Sequence, residues 1–121
     1  MKMKQNIIKN NHQEILEIVS DKIEINNLQD ALDLMGNAYN LGTNNIIIRE
    51  EQLNPDFFDL SSGLAGNILQ KLTTYRIKIA IIGNFKKYKS KSLDALILEC
   101  NRRKQTFFVP DIKAATQRLT E

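Results

Sequence analysis

Two runs of β-branched residues constrain the fold of this chain more than any other feature. Residues 45–49 contain three consecutive isoleucines, and residues 77–82 form a second, almost wholly apolar run. Strands of this kind are typical of a parallel sheet covered on both faces, because a strand with one wet face alternates apolar and polar residues. Between them, apolar side chains recur at helical spacing over residues 61–74. The middle of the chain is therefore predicted to form a strand, a helix and a second, parallel strand.

The flanking segments continue this alternation. Two short strands, residues 6–9 and 14–19, surround a turn at residues 10–12, and a last strand covers residues 106–109. Residues 55–58 are predicted to form a short helical turn after the cap Asn54. The remaining helices are predicted from a cap at Asn26 or Asn27 to about Leu41, from a cap at Ser90 or Ser92 through Cys100, and over residues 111–119. The order β-β-α-β-α-β-α-β-α predicts a single α/β domain over residues 1–121 with a mixed, mostly parallel sheet.

Several side chains carry more specific predictions. The first helix is expected to bury one apolar stripe, and Gly42 to end that helix in the left-handed conformation. The stripe consists of Leu28, Ala31, Leu32, Met35, Ala38 and Tyr39. Aromatic core and loop anchors are predicted at Tyr39, Phe57, Phe58 and Phe85. Gly63 and Gly66 each cost a helix about 1 kcal/mol relative to alanine, so close approach of a neighbouring strand or helix is expected there.

The composition excludes several classes of function. The 121 residues include one cysteine, Cys100, and one histidine, His12, so the chain can form neither an internal disulfide nor a Cys/His zinc cluster. Cys100 lies on an apolar helix stripe and is expected to be inert packing in a reducing, cytoplasmic setting. No run is long and apolar enough to span a bilayer, and no signal peptide is indicated. No catalytic nucleophile, cofactor or obligatory metal is predicted.

Charge is divided unevenly along the chain. Residues 13–60 carry ten acidic and two basic residues, whereas residues 61–121 carry twelve basic and four acidic ones. The two halves could neutralise each other in space, or they could form a dipolar surface that docks a protein partner or a second copy of the chain. The basic run at residues 86–91 raises a nucleic-acid hypothesis, but the acidic half would repel phosphates and a solvated loop is favoured.

An acidic loop follows the strand at residues 45–49. Glu50 and Glu51 come at the carboxyl end of that strand, where open α/β sheets place binding sites, and Asp56 and Asp59 follow. These carboxylates could bind Mg²⁺ or act in acid/base chemistry. Alternatively they are solvated, or paired to lysines of residues 86–91, such as Lys86 and Lys87, which leave the next strand at the same end. A deep polar cavity at residues 50–59 would favour the chemical interpretation, and a flat surface an interaction module.

Ser61 and Ser62 stand at the predicted start of the second long helix. Free backbone N–H groups and the helix dipole favour an anion at such a position, so a phosphate on Ser62 would be stabilised locally. The simpler interpretation is that Ser61 or Asp59 caps the helix, contributing about 1 kcal/mol.

The element order, together with Phe-Asp-Leu-Ser-Ser-Gly-Leu at residues 58–64, resembles the STAS domain of sulfate transporters and anti-sigma-factor antagonists. That resemblance implies a serine phosphorylated by a partner kinase, although here Leu60 separates Asp59 from the serines. The full chain is also similar to a bacterial family of domains of unknown function, DUF4180. The segments that carry this similarity are residues 28–37, 55–60, 63–66 and 90–93.

These observations favour a non-enzymatic, cytoplasmic regulatory or protein-interaction module, switched by phosphorylation near Ser61 and Ser62. The alternative is a small-molecule-binding protein or enzyme whose site gathers Glu50, Glu51 and Asp59. Nucleic-acid binding is the least favoured class.

Overall fold

The five strands of the sheet lie side by side in the order in which they occur along the chain. A computed structural model describes residues 4–121. The strands are β1 (Lys4–Asn10), β2 (Gln13–Val19), β3 (Asn45–Arg49), β4 (Lys78–Ile82) and β5 (Thr106–Val109). The helices are α1 (Leu28–Asn40), α2 (Leu64–Thr74), α3 (Lys91–Arg103) and α4 (Ile112–Leu119). This is the predicted mixed α/β architecture, in the predicted order of elements.

The pairing of the strands is antiparallel once and parallel three times. β1 and β2 form a hairpin that pairs Ile8 with Ile15, whereas β2, β3, β4 and β5 run parallel to one another. The hairpin turn places Asn11 at φ 51° and His12 at φ 65°. Two consecutive left-handed residues match the twist of a two-residue β-hairpin. The predicted turn and the central place of β2 are both confirmed.

Both faces of the sheet are covered. Ile46 and Ile48 of β3 point into a core shared with α1, α2 and α3, whereas Ile47 points into a separate core with Ala115 and Leu119 of α4. All three isoleucines are completely buried. This two-sided burial explains why the strand contains no polar alternation.

The helix starts settle two alternatives that the sequence leaves open. Oδ1 of Asn27 accepts a hydrogen bond from the backbone N–H of Asp30 at 2.9 Å, so Asn27 rather than Asn26 caps α1. Oγ of Ser90 accepts from Leu93 N–H at 3.1 Å, so Ser90 rather than Ser92 caps α3. Gly42, at φ 80°, takes the predicted left-handed conformation after α1.

The predicted stripe of α1 is wrong at one position. Tyr39 is 79% exposed, and the fully buried positions are Ala31, Leu34, Met35 and Ala38. Leu34 lies three residues after Ala31 and four before Ala38, at the centre of the buried face. Tyr39 lies one residue beyond that stripe, so it is not a core anchor.

The predicted close approach at Gly63 and Gly66 is also wrong. An added Cβ would meet no atom within 4 Å at either position. Gly63 is instead needed for its backbone, because its φ of 82° is strained for other residues. That left-handed residue interrupts the predicted helix, so α2 begins at Leu64 and not at Ser61. Nothing in the structure explains why residue 66 is a glycine.

Among residues 4–121, no helix has the length and apolar character that crossing a membrane requires.

Candidate functional site

Glu50 is the first residue after β3 and begins a 3₁₀ turn, Glu50–Gln52. Only 8% of it is exposed, although it carries a carboxylate. Its Oε2 lies 2.7 Å from Nζ of Lys87 and accepts a hydrogen bond from the hydroxyl of Tyr88. Its Oε1 accepts from the backbone N–H of Asn84 at 3.2 Å. Glu50 therefore joins the segment after β3 to the segment after β4, so for this residue the structure selects pairing with the lysine loop, residues 86–91, among the alternatives that the sequence leaves open.

The surroundings of Glu50 determine the protonation state of its carboxyl group. Burial alone would raise the pKa of Glu50, but the hydrogen bonds from Lys87, Tyr88 and Asn84, with the positive charge of Lys87, hold that pKa below its ordinary value. Burial raises the pKa of Tyr88, and the bond to Glu50 and its negative charge raise it further. The carboxylate is thus charged and the phenol neutral at neutral pH. Such a carboxylate, already paired, is poorly placed to accept a substrate proton.

Gly83 makes room for this arrangement. A Cβ at Gly83 would lie 2.6 Å from Oε1 and 2.7 Å from Cβ of Glu50, closer than real contacts allow. Gly83 directly follows β4. Nothing in the sequence alone marks its contact with a residue so distant along the chain.

Aromatic rings hold the same two segments together. The rings of Phe58 and Tyr88 are stacked, with centroids 4.8 Å apart. Phe85 bridges Phe58, at 5.8 Å, to Phe108 of β5, at 5.1 Å. Phe57 and Phe58 are buried and Phe85 is half-buried, so the predicted anchoring role of these three rings is confirmed.

Gln52 supports the turn that carries Glu50, a structural role that the sequence alone does not indicate. It is completely buried, and its Nε2 donates to the carbonyl oxygens of Ile18 at 3.2 Å and Ser20 at 2.9 Å. Its Oε1 accepts from the backbone N–H of Arg49 at 2.8 Å. Gln52 thereby ties the turn that carries Glu50 to the end of β2.

The two serines lie in a separate 3₁₀ turn, Leu60–Ser62, ahead of α2. Oδ1 of Asp59 accepts from both the backbone N–H of Ser61, at 3.1 Å, and its Oγ, at 2.6 Å. Oγ of Ser62 donates to the carbonyl of Asp56 at 2.6 Å and accepts from the backbone N–H of Leu64 at 3.2 Å. Both serines are exposed. Ser62 therefore lies beside the first N–H group of α2, although the helix does not contain it.

The four carboxylates of the acidic loop do not converge. Glu50 is engaged with Lys87, Asp59 caps the serine turn, and Glu51 and Asp56 are exposed. Within residues 4–121, no three His, Cys, Asp or Glu side chains are placed to hold a metal ion. A shallow depression of about 190 Å³ lies at this end of the sheet. It is lined by four apolar residues, Ile23, Leu53, Pro55 and Phe58, and by four polar residues, Glu50, Glu51, Lys87 and Tyr88.

The lysine loop forms a 3₁₀ turn, Phe85–Tyr88, rather than an irregular loop. Lys86, Lys89 and Lys91 are exposed, as predicted for a solvated segment. Lys87 differs, because its ammonium is held by Glu50.

Cys100 is buried, and burial raises the pKa of its thiol, which fits the predicted inert packing.

A wider groove of about 570 Å³ lies at the opposite end of the parallel strands, between the carboxyl ends of α1 and α2. Tyr39 and Tyr75 flank it, and Leu32, Met35 and Ile77 contribute apolar surface. None of the predicted site residues lines this groove.

Comparison with known proteins defines the class of the fold. The chain resembles the crystal structure of a Thermotoga maritima protein described as a candidate anti-sigma factor antagonist. The match has a TM-score of 0.52 and 15% identity, and covers 98% of this chain and 95% of the other. At this identity the likeness shows the fold alone, which is STAS-like as the sequence predicts. The chain itself belongs to the DUF4180 family, a domain of unknown function, matched over residues 10–119. No curated protein matches the sequence.

Proposed function

We propose that this protein is a non-enzymatic regulatory module of the bacterial cytoplasm, which docks a protein partner at the carboxyl end of its sheet. Phosphorylation of Ser62 switches the docking. The observation that carries this proposal is the exposed serine pair, which follows β3 in a STAS-like fold and lies beside the first N–H of α2.

The chemistry of the two serines favours Ser62 as the modified residue. A kinase would transfer a phosphoryl group from a nucleoside triphosphate to Oγ of Ser62, releasing the diphosphate and the hydroxyl proton. The phosphate oxygens could then accept from Leu64 N–H, at the end of the helix dipole that favours negative charge. A phosphate on Ser61 would instead repel the carboxylate of Asp59, only 2.6 Å from its Oγ.

The chemical alternative receives little support from the geometry. Glu50 and Glu51 both line the shallow depression, but Glu50 is already paired with Lys87, and Asp59 caps the serine turn and does not line the depression. A catalytic site needs convergent polar groups around an enclosed cavity. A surface of this shape suits a protein partner better.

Affinity capture from the native bacterium tests the proposal. Wild-type protein, Ser62→Asp and the control Gln70→Glu are used as bait, since Gln70 is an exposed residue of α2 and receives the same added charge. The proposal expects at least one partner that wild type and Gln70→Glu both capture and Ser62→Asp does not, or one that Ser62→Asp alone captures. Identical capture by all three would contradict it.

A further inference from the structure

The carboxyl end of the sheet carries opposite charges on neighbouring segments. The acidic strip, on the segment after β3, consists of Glu51, Asp56 and Asp59, all exposed. The basic strip, on the segment after β4, consists of Lys86, Lys89 and Lys91, all exposed. The two segments adjoin because β3 and β4 pair directly and because Phe58 stacks on Tyr88.

The strips do not neutralise each other within the molecule. The ion pair that crosses between the two segments joins Glu50 to Lys87, at 2.7 Å, and neither residue belongs to a strip. Among residues 4–121, no member of either strip takes part in an ion pair. Among residues 4–121, the three ammonium groups and the carboxylates of Glu51 and Asp56 are therefore exposed and make no ion pair, whereas Oδ1 of Asp59 already accepts two hydrogen bonds from Ser61.

An apolar area lies beside these charges. The shallow depression at this end is lined by Ile23, Leu53, Pro55 and Phe58, and Ile23 is 38% exposed. Glu50, Glu51, Lys87 and Tyr88 line it as well. Apolar surface beside charged and polar groups is the usual composition of a protein–protein interface.

We propose that this edge binds a second copy of the chain across a two-fold axis, with the acidic strip of each copy against the basic strip of the other. A two-fold axis brings the same patch of both subunits together, so the patch must complement itself. Adjacent strips of three acids and three bases meet that condition. A nucleic acid does not, because the acidic strip would face its phosphates.

This inference rests on the proposed docking role of the carboxyl end and adds a second copy of the chain as an occupant of that end. Attraction between exposed charges is screened beyond about 8 Å at physiological ionic strength, so the dimer should be weak and should dissociate as salt rises. Sedimentation equilibrium of the full chain at low salt and high protein concentration detects it.

Charge reversal tests the arrangement directly. One variant carries Glu51→Lys with Asp56→Lys, and the other carries Lys86→Glu with Lys91→Glu. Each variant alone should be monomeric, because the reversed strip, at two of its three positions, then meets like charges on the strip of the other copy. An equal mixture should recover the dimer, because one copy has a net positive charge on both strips and the other a net negative charge on both.

A control variant, Asp33→Lys with Glu121→Lys, changes the net charge as much as the acidic reversal but lies on α1 and after α4. It should dimerise as wild type does. A monomeric wild type, dimers of either reversed variant alone, or a mixture that stays monomeric would overturn the proposal. None of these results would alter the Ser62-dependent capture of a different partner, so the two proposals can fail separately.

Discussion

The ammonium of Lys87 lies 2.7 Å from Oε2 of Glu50, across two neighbouring parallel strands. This ion pair is partly shielded from water, since the side chain of Glu50 is 10% exposed and that of Lys87 is 56% exposed. Together with the stacked rings of Phe58 and Tyr88, it fixes the relative position of the segments that follow β3 and β4. The surface proposed for docking is built on that contact.

The pH dependence of stability tests the Glu50 interaction. Because the pKa of Glu50 in the folded protein is below its ordinary value of 4.5, the unfolded chain binds this proton more tightly than the folded one. The carboxylate therefore stabilises the fold above pH 4.5 and loses that contribution as pH falls through the folded-state pKa. In urea unfolding across the acidic range, Glu50→Gln should be less stable at neutral pH and less sensitive to acid. Glu51→Gln, its exposed neighbour, should follow the wild-type curve. Parallel curves for wild type and Glu50→Gln would contradict this account.

Removing the hydroxyl of Tyr88 tests the same interaction by deleting the group that donates a hydrogen bond to Glu50. Tyr88→Phe keeps the ring on Phe58 but removes a hydrogen bond to a carboxylate, so the free energy of unfolding should fall by about 1–3 kcal/mol. The pKa of Glu50 should rise at the same time, because one group that stabilises its charged form is lost. Tyr75→Phe, at a tyrosine that is 56% exposed, should stay within about 0.5 kcal/mol of wild type. Equal stability of the two variants would rule out a structural role for the Tyr88 hydroxyl.

Two glycine substitutions should have opposite effects. Gly83→Ala forces the new Cβ against Glu50 and should lower the free energy of unfolding by about 1–3 kcal/mol. Gly66→Ala adds a methyl group in open space on an exposed turn of α2 and should raise it by about 0.5–1 kcal/mol. Thermal or urea unfolding of both variants gives the comparison. A neutral Gly83→Ala would show that Glu50 does not fill the space beside Gly83.

The order of the elements along the chain and the approximate starts of α1 and α3 could be predicted because their signals are local. Apolar run length marks β3 and β4, and polar residues mark the two helix starts, but the choice of Asn27 over Asn26 and of Ser90 over Ser92 needs the structure. The start of α2 could not be predicted in the same way, because a glycine in a sequence does not reveal the sign of its φ. Gly63 takes the left-handed conformation and delays the helix by three residues relative to the prediction.

The contents of the candidate site were predicted only in part. The pairing of the acidic loop with the lysine loop follows from parallel strands that end at the same edge. The choice of Glu50 rather than Glu51 as the buried partner depends on the direction of each side chain in the turn after β3. The contact of Gly83 with Glu50 arises only when β3 and β4 are already side by side.

The negative charge proposed for Ser62 should leave the fold almost unchanged. Ser62→Asp loses the donation to Asp56 but places a carboxylate beside the start of α2, where the dipole contributes about 0.3–1 kcal/mol. Unfolding free energies of wild type and Ser62→Asp should therefore agree within about 1 kcal/mol. A larger loss would mean that any change in partner binding reflects unfolding rather than a switch.

Phosphopeptide mapping of the protein purified from its native cells, in growth and in starvation, tests the central claim most directly. The account predicts a phosphate on Ser62 whose occupancy changes between the two conditions, with Ser61 and the exposed Ser92 unmodified. Unmodified Ser62 under both conditions would contradict the proposed switch.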